Sequence, residues 1–257
     1  MKQKNKIIAV IGITLLVVLG IIGYMFFYWQ DTEENGDDWF NETEEENETE
    51  AINPPTDYIA YWSFNEGSGS VAYDETGSFD GSISGATYTT SGCASGSCLR
   101  FDGLDDYVKI GNYDLLKPST ITVSAWFIRE GGERWSSLVY NMQWPDSGYL
   151  LFTDAKPYVS WRVLDEESYN EYDLDYPIQL NQLYHVVGVY DGASSQLYIN
   201  GELVDSTPAS YNPDSPTKTM IGNNAATAAP FLGTIDDVKI YDRALSSDEI
   251  SDLYNSI

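Results

Sequence analysis

The chain has 257 residues, with 40 Asp and Glu against 13 Lys and Arg and a single His, for a formal net charge of −27. That balance excludes the basic face needed to bind nucleic acid and disfavours docking on anionic lipid. Twenty Tyr, seven Trp and 21 Gly with only two Cys point to a β-rich, turn-rich domain rather than a disulfide scaffold.

Lys2, Lys4 and Lys6 open the chain, and Ile7 to Trp29 follow without a charge. At about 1.5 Å per residue such a helix spans roughly 34 Å, enough to cross a hydrocarbon core of about 30 Å. The run predicts a transmembrane helix over 7–29 with a cytoplasmic tail at 1–6. The positive-inside rule then puts the C-terminal domain outside the cell membrane. A cleaved signal peptide is the competing reading, but its apolar region is shorter and ends in small residues. This run ends in Tyr24, Phe26, Phe27, Tyr28 and Trp29, a set suited to the membrane interface.

Residues 30–57 read as an acidic, disordered linker. Residues 31–57 hold 12 Asp or Glu and no Lys or Arg, so they bury too little to offset ordering entropy, and like charges extend them. Asn41-Glu-Thr and Asn47-Glu-Thr are glycosylation sequons.

From Tyr58 onward, short apolar-alternating runs are punctuated by Gly, Asn, Asp and Pro. They predict strands at Tyr58–Phe64, Cys98–Phe101, Tyr107–Ile110, Ile121–Arg129, Leu138–Met142 and Tyr149–Phe152. Further strands fall at Tyr158–Val163, Tyr184–Tyr190, Gln196–Asn200, Glu202–Asp205, Thr219–Ile221 and Ile235–Tyr241. Short strands at this spacing without intervening helices predict an all-β, two-sheet antiparallel sandwich over 58–257. Asn200-Gly201 supplies the two positive-φ positions of a type I′ hairpin. Ser246 and Glu249 form a capping box for a short C-terminal helix, with Leu245 and Ile250 as its staple.

Seven segments in order carry a family resemblance. They are Tyr61–Gly69, Asp74–Gly77, Leu99–Ile110, Ile121–Trp126, Tyr184–Gly192, Leu197–Gly201 and Phe231–Leu245. Together they resemble the LamG-like (laminin G-like) branch of the concanavalin A-like lectin/glucanase superfamily. The resemblance implies a two-sheet jelly roll and a carbohydrate or glycosylated surface protein as partner, often with calcium. It also implies that Asp74, Asp102 and Asp236 come together near one edge of the sandwich, where they are the expected calcium ligands. The competing role for each Asp is to cap a turn.

Cys93 and Cys98 enclose Ala-Ser-Gly-Ser, and an exported location favours a disulfide between them. Sugar binding needs aromatic faces with polar groups beside them. Trp135, Trp144, Tyr149, Trp161, Tyr169 and Tyr172 cluster in the least family-like stretch, with Asn141, Gln143 and Arg162 as hydrogen-bonding groups. Trp62 and Trp126 are expected in the core. Glu171, Asp173 and Asp175 resemble the acidic run of laminarinase-type glucanases, but the last acid is Asp where that run has Glu. An acidic turn is the expectation, and no catalytic residue is assigned. His185 is expected to be structural. The expected role is therefore carbohydrate or glycoprotein recognition and adhesion at the cell surface, without enzymatic activity. A protein-interaction or structural module without a sugar site is the alternative.

Overall fold

In the computed structural model, residues 51–132, 134–143, 146–165, 173–224 and 229–257 are described, and their alternating runs become strands. These are β1 (Ala60–Trp62), β2 (Val71–Ala72), β3 (Gly81–Ser84), β4 (Thr87–Thr89), β5 (Cys98–Asp102), β6 (Tyr107–Gly111), β7 (Ile121–Gly132) and β8 (Ser136–Gln143). They continue as β9 (Ser147–Thr153), β10 (Tyr158–Asp165), β11 (Leu174–Pro177), β12 (Leu183–Tyr190), β13 (Ser194–Ile199), β14 (Glu202–Pro208), β15 (Thr219–Ile221) and β16 (Phe231–Tyr241). The helix α1 (Ser247–Asn255) closes the chain.

Every pairing is antiparallel, and the strands form two sheets. The first runs β14-β13-β12-β7-β16-β5-β4, with β1 pairing the second half of β16. The other runs β11-β10-β9-β8-β15-β6-β3-β2. This is the expected all-β sandwich of two antiparallel sheets. Alternation explains the layering. Val123, Ala125 and Phe127 of β7, Val186 of β12 and Ile235 and Val238 of β16 face Tyr149, Leu151, Val159, Trp161 and Val163 of β9 and β10 in one buried core.

Local signals behave as their chemistry dictates. Asn200 and Gly201 take φ of 51° and 83° between β13 and β14. Ser246 and Glu249 complete the capping box of α1, and Leu245 and Ile250 join Leu253, Val187 and Val189 in a smaller cluster on the first sheet's outer face. Four short strands were not expected: β2 is only two residues long, β3 and β4 are Ser-, Thr- and Gly-rich, and β11 falls within the supposed acidic turn.

Residues just before Tyr58 also contact the domain. Asn53 N donates to Asp252 at 3.1 Å, Tyr241 OH donates to the Pro55 carbonyl at 3.1 Å, and Arg243 pairs with Asp57. Arg243 also pairs with Glu249 of α1, so Asp57, the last acid of the stretch, is clipped to the domain. Segment 7–29 and the sequons at Asn41 and Asn47 lie outside the described residues. Among the described residues no helix is long and apolar enough to cross a membrane.

Candidate functional site

The outer face of the second sheet carries the densest chemistry. Side chains leave the core on alternate positions, so Leu150 and Phe152 of β9, Leu164 of β10, Tyr140 and Met142 of β8 and Met220 of β15 form a cluster on that face. Trp135 packs against it, half-buried at a φ of 63°, with the Arg134 guanidinium 4.5 Å above its ring. Arg162 leaves β10 on the same side. It is 2% exposed, donates to both carboxylate oxygens of Asp173 and lies 5.4 Å from the Phe152 ring centre.

At the β9–β10 end of this face lies a depression of about 500 Å³, lined by Arg134, Asp154, Ala155, Lys156, Tyr158 and Asp175. Three chain segments converge to make it. Pairing in register sets Ser160 against Asp175 and Tyr158 against Pro177 across β10 and β11, and the Ser160 hydroxyl donates to Asp175. The turn between β9 and β10 is braced by Arg129, which is 2% exposed. Its guanidinium donates to the carbonyls of Gly131 at 2.8 Å, Gly132 at 3.3 Å and Lys156 at 2.8 Å. Burial lowers the Arg129 pKa from its usual value, yet one of its three charge-assisted bonds, to the Lys156 carbonyl, ties the turn to the end of β7. The result is a concave polar patch beside aromatic faces, the arrangement that orients hydroxylated ligands.

The sequence-expected residues divide sharply. Trp135 borders the depression, and Arg162 lies on the same face. Tyr149 and Trp161 do not: both are fully buried between the sheets, with ring centres 6.1 Å apart. Tyr149 OH donates to the Leu116 carbonyl at 3.1 Å, so these two rings are core rather than ligand contacts. Asn141 is also buried, its amide donating to Thr219 Oγ1 at 2.9 Å. Trp144, Tyr169, Glu171 and Tyr172 lie outside the described residues. Asp173 and Asp175 flank a strand residue, Leu174, instead of occupying a free acidic turn. Tyr158, Asp154, Lys156 and Arg134 were missed, although Asp154-Ala-Lys-Pro-Tyr158 between two apolar runs is a visible turn signal.

The three expected calcium ligands do not form one site. Asp74, 4% exposed, accepts from the backbone N–H of Tyr61, Thr76, Ser78 and Phe79 and from the Thr76 hydroxyl. It caps a turn with both oxygens occupied. Asp236 accepts from Ala94 N at 2.9 Å, Ser95 N at 3.2 Å and Asp237 N at 3.0 Å. Burial, and then the charge of Asp237, push its pKa up to about 7, against the pull of those amides. Asp102 groups instead with Asp105 and Asp106, and its Oδ1 accepts from Leu104 N at 2.8 Å. A hard cation needs several oxygens converging at one point, and Asp74, Asp102 and Asp236 do not converge with one another. The Cys93–Cys98 disulfide is present, and it closes the loop whose amides hold Asp236.

Trp126 is buried, but on the outer face of the first sheet rather than in the core between the sheets. There it stacks 4.9 Å from His185 and 5.6 Å from Tyr254 of α1. His185 Nε2 lies 2.8 Å from Ser124 Oγ, and the ring is buried.

A laminin G family model, described as the concanavalin A-like lectin/glucanases superfamily, matches residues 101–251. The chain belongs to this superfamily. The match takes in the later segments of the resemblance and leaves Tyr61–Gly77 outside. Among solved structures, this superfamily member is similar to domain 4 of AbnA, a GH43 extracellular arabinanase from Geobacillus stearothermophilus in complex with arabinotriose. The TM-score is 0.61 at 21% identity, over 77% of this chain and 98% of that one. The binding domain of Paraclostridial Mosquitocidal Protein 1 gives a TM-score of 0.64 at 17% identity, over 78% of this chain and 52% of that one. Trypanosoma rangeli sialidase in complex with sialic acid gives 0.59 at 20% identity, over 79% of this chain but only 33% of that one. At these identities the likeness is one of fold. No curated protein matches the chain significantly.

Proposed function

We propose that the domain recognises carbohydrate, binding it without hydrolysis, on a sugar or glycosylated partner at the cell surface. The observation that carries this reading is the depression of about 500 Å³ in which Tyr158 stands among two carboxylates and two cations, with the Trp135 indole under Arg134. An aromatic face stacks on the C–H face of a sugar ring, while planar polar groups bind its hydroxyls. Fold neighbours solved with arabinotriose and with sialic acid support the reading by analogy. Binding is favoured over hydrolysis because Asp173 and Asp175 are engaged by Arg162 and Ser160. Surface display is supported by the uncharged run at 7–29 and the acidic stretch after it.

The test is a glycan array probed with the full-length chain in mild detergent. Tyr158→Ala is expected to abolish the signal while leaving the melting temperature within about 2 °C of wild type. Retained binding in that variant sinks the site, and absence of any glycan signal in wild type favours the protein-interaction reading instead.

A further inference from the structure

The cations of this acidic domain are not equally committed. Of the ten Lys and Arg in residues 58–257, Arg100, Lys117, Arg162, Lys239 and Arg243 each meet a carboxylate. Arg129 is spent on three carbonyls. Two of the remaining four line the depression. Arg134 approaches Asp154 only at 3.8 Å, with its side chain 64% exposed, and rests on the Trp135 ring instead. The Lys156 ammonium has no hydrogen-bond or ion-pair partner among the described residues. Its backbone is nevertheless fixed, since the Lys156 carbonyl accepts from Arg129 and from Tyr158 N at 2.7 Å.

A rigid turn that holds one cation unpaired, and a second one loosely paired, beside aromatic faces suits a ligand with both a sugar face and a negative charge. We propose that the depression takes a carboxylated sugar, whose carboxylate sits between Arg134 and Lys156 while Tyr158 stacks on the ring. This rests on the carbohydrate reading and narrows it to acidic sugars. The Arg134 fork matches a carboxylate in two parallel hydrogen bonds, and Lys156 adds a compact charge. Each of the two carboxylates of the lining is held at one oxygen. Asp154 accepts from Ala155 N, and Asp175 accepts from Ser160, which leaves their outer oxygens for ligand hydroxyls. In a domain whose net charge repels anions at long range, these cations are what admits one.

The experiment titrates the full-length chain in detergent with a panel of carboxylated oligosaccharides: oligogalacturonate, oligoguluronate, hyaluronan fragments and sialyllactose. The same compounds are then used after reduction of each carboxyl to a hydroxymethyl group. At least one carboxylated member is expected to bind about tenfold or more tighter than its reduced form, an advantage that shrinks as salt rises from about 50 to about 500 mM. Arg134→Gln and Lys156→Gln are each expected to remove that advantage. Equal affinity for acidic and reduced forms, with both lost in Tyr158→Ala, overturns the acidic-sugar assignment and leaves carbohydrate recognition standing. Binding of neither form, together with a silent neutral glycan array, overturns both.

Discussion

His185 and Asp236 stand on either side of Trp126 in a single cross-strand row. Register pairs His185 of β12 with Trp126 of β7, and Trp126 with Asp236 of β16, so about 10 Å and one indole separate the two side chains. Their protonation equilibria are displaced in opposite senses. Burial, and then the charge of Lys239, lower the His185 pKa to about 3, while burial and Asp237 raise Asp236 to about 7.

Opposed slopes follow. His185 stays neutral in the fold and takes up a proton on unfolding below pH 6.5, so its stabilisation is complete above that pH and is lost as pH falls toward 3. Asp236 keeps its proton in the fold to about pH 7, whereas the unfolded carboxyl releases it near 3.8. Its stabilisation is complete below 3.8 and is lost as pH rises through 7. Between about pH 4 and 6.5 each contributes a limiting slope of about 1.4 kcal/mol per pH unit, and the two cancel. Relative to wild type, Asp236→Asn is expected to gain stability as pH rises across this window, and His185→Gln to lose it. Urea unfolding at intervals from pH 4 to 7.5 reads the difference, and parallel curves for all three proteins refute the assignment.

The disulfide loop is tied to the same carboxylate. Because Ala94 and Ser95 amides hold Asp236 Oδ2, loosening the loop removes the donors that stabilise its ionised form. Cys93→Ser/Cys98→Ser is expected to cost about 2 kcal/mol from loop closure alone, and more at pH 8 than at pH 5. Thermal denaturation at the two pH values checks this, and an equal loss at both would disconnect the loop from Asp236.

Asp74 is expected to matter as a cap rather than as a ligand. Asp74→Ala strands the four backbone N–H groups and the hydroxyl that now point at it, for a loss of about 3 kcal/mol or more. The loss should be the same in millimolar calcium and in EDTA. A calcium-dependent difference between wild type and variant would restore the metal reading.

Gly188 is required by space rather than by backbone conformation. A Cβ there would lie 2.1 Å from Cδ2 of Trp161, inside a core that cannot retreat. Gly188→Ala is expected to destabilise by about 1–3 kcal/mol, and pairing it with Trp161→Phe, which narrows the ring, should recover part of the loss. No recovery in the double variant would place the strain elsewhere.

Twelve of the strand positions, the hairpin at Asn200-Gly201 and the capping box at Ser246 were determined by the sequence alone, because each depends on side chains within a few residues of one another. So was the pairing of Cys93 with Cys98, the two cysteines of the sequence. What only the tertiary structure decided was which face each alternating residue occupies. β9 and β10 are apolar on both parities, with Tyr149 and Trp161 on one side and Phe152 and Leu164 on the other. Alternation therefore carried no sign, and two core rings read like ligand contacts. At Asp236-Asp237 the sheet slips register, with Asp237 at a φ of 45°, and Asp236 is a buried outer-face group. The depression lay furthest from view. Arg134, Lys156 and Asp175 are distant along the chain, and a buried guanidinium and a strand pairing bring them together. The charge balance still argues against nucleic acid, but the placement of a few uncommitted cations is a property of the folded sheet, not of the composition.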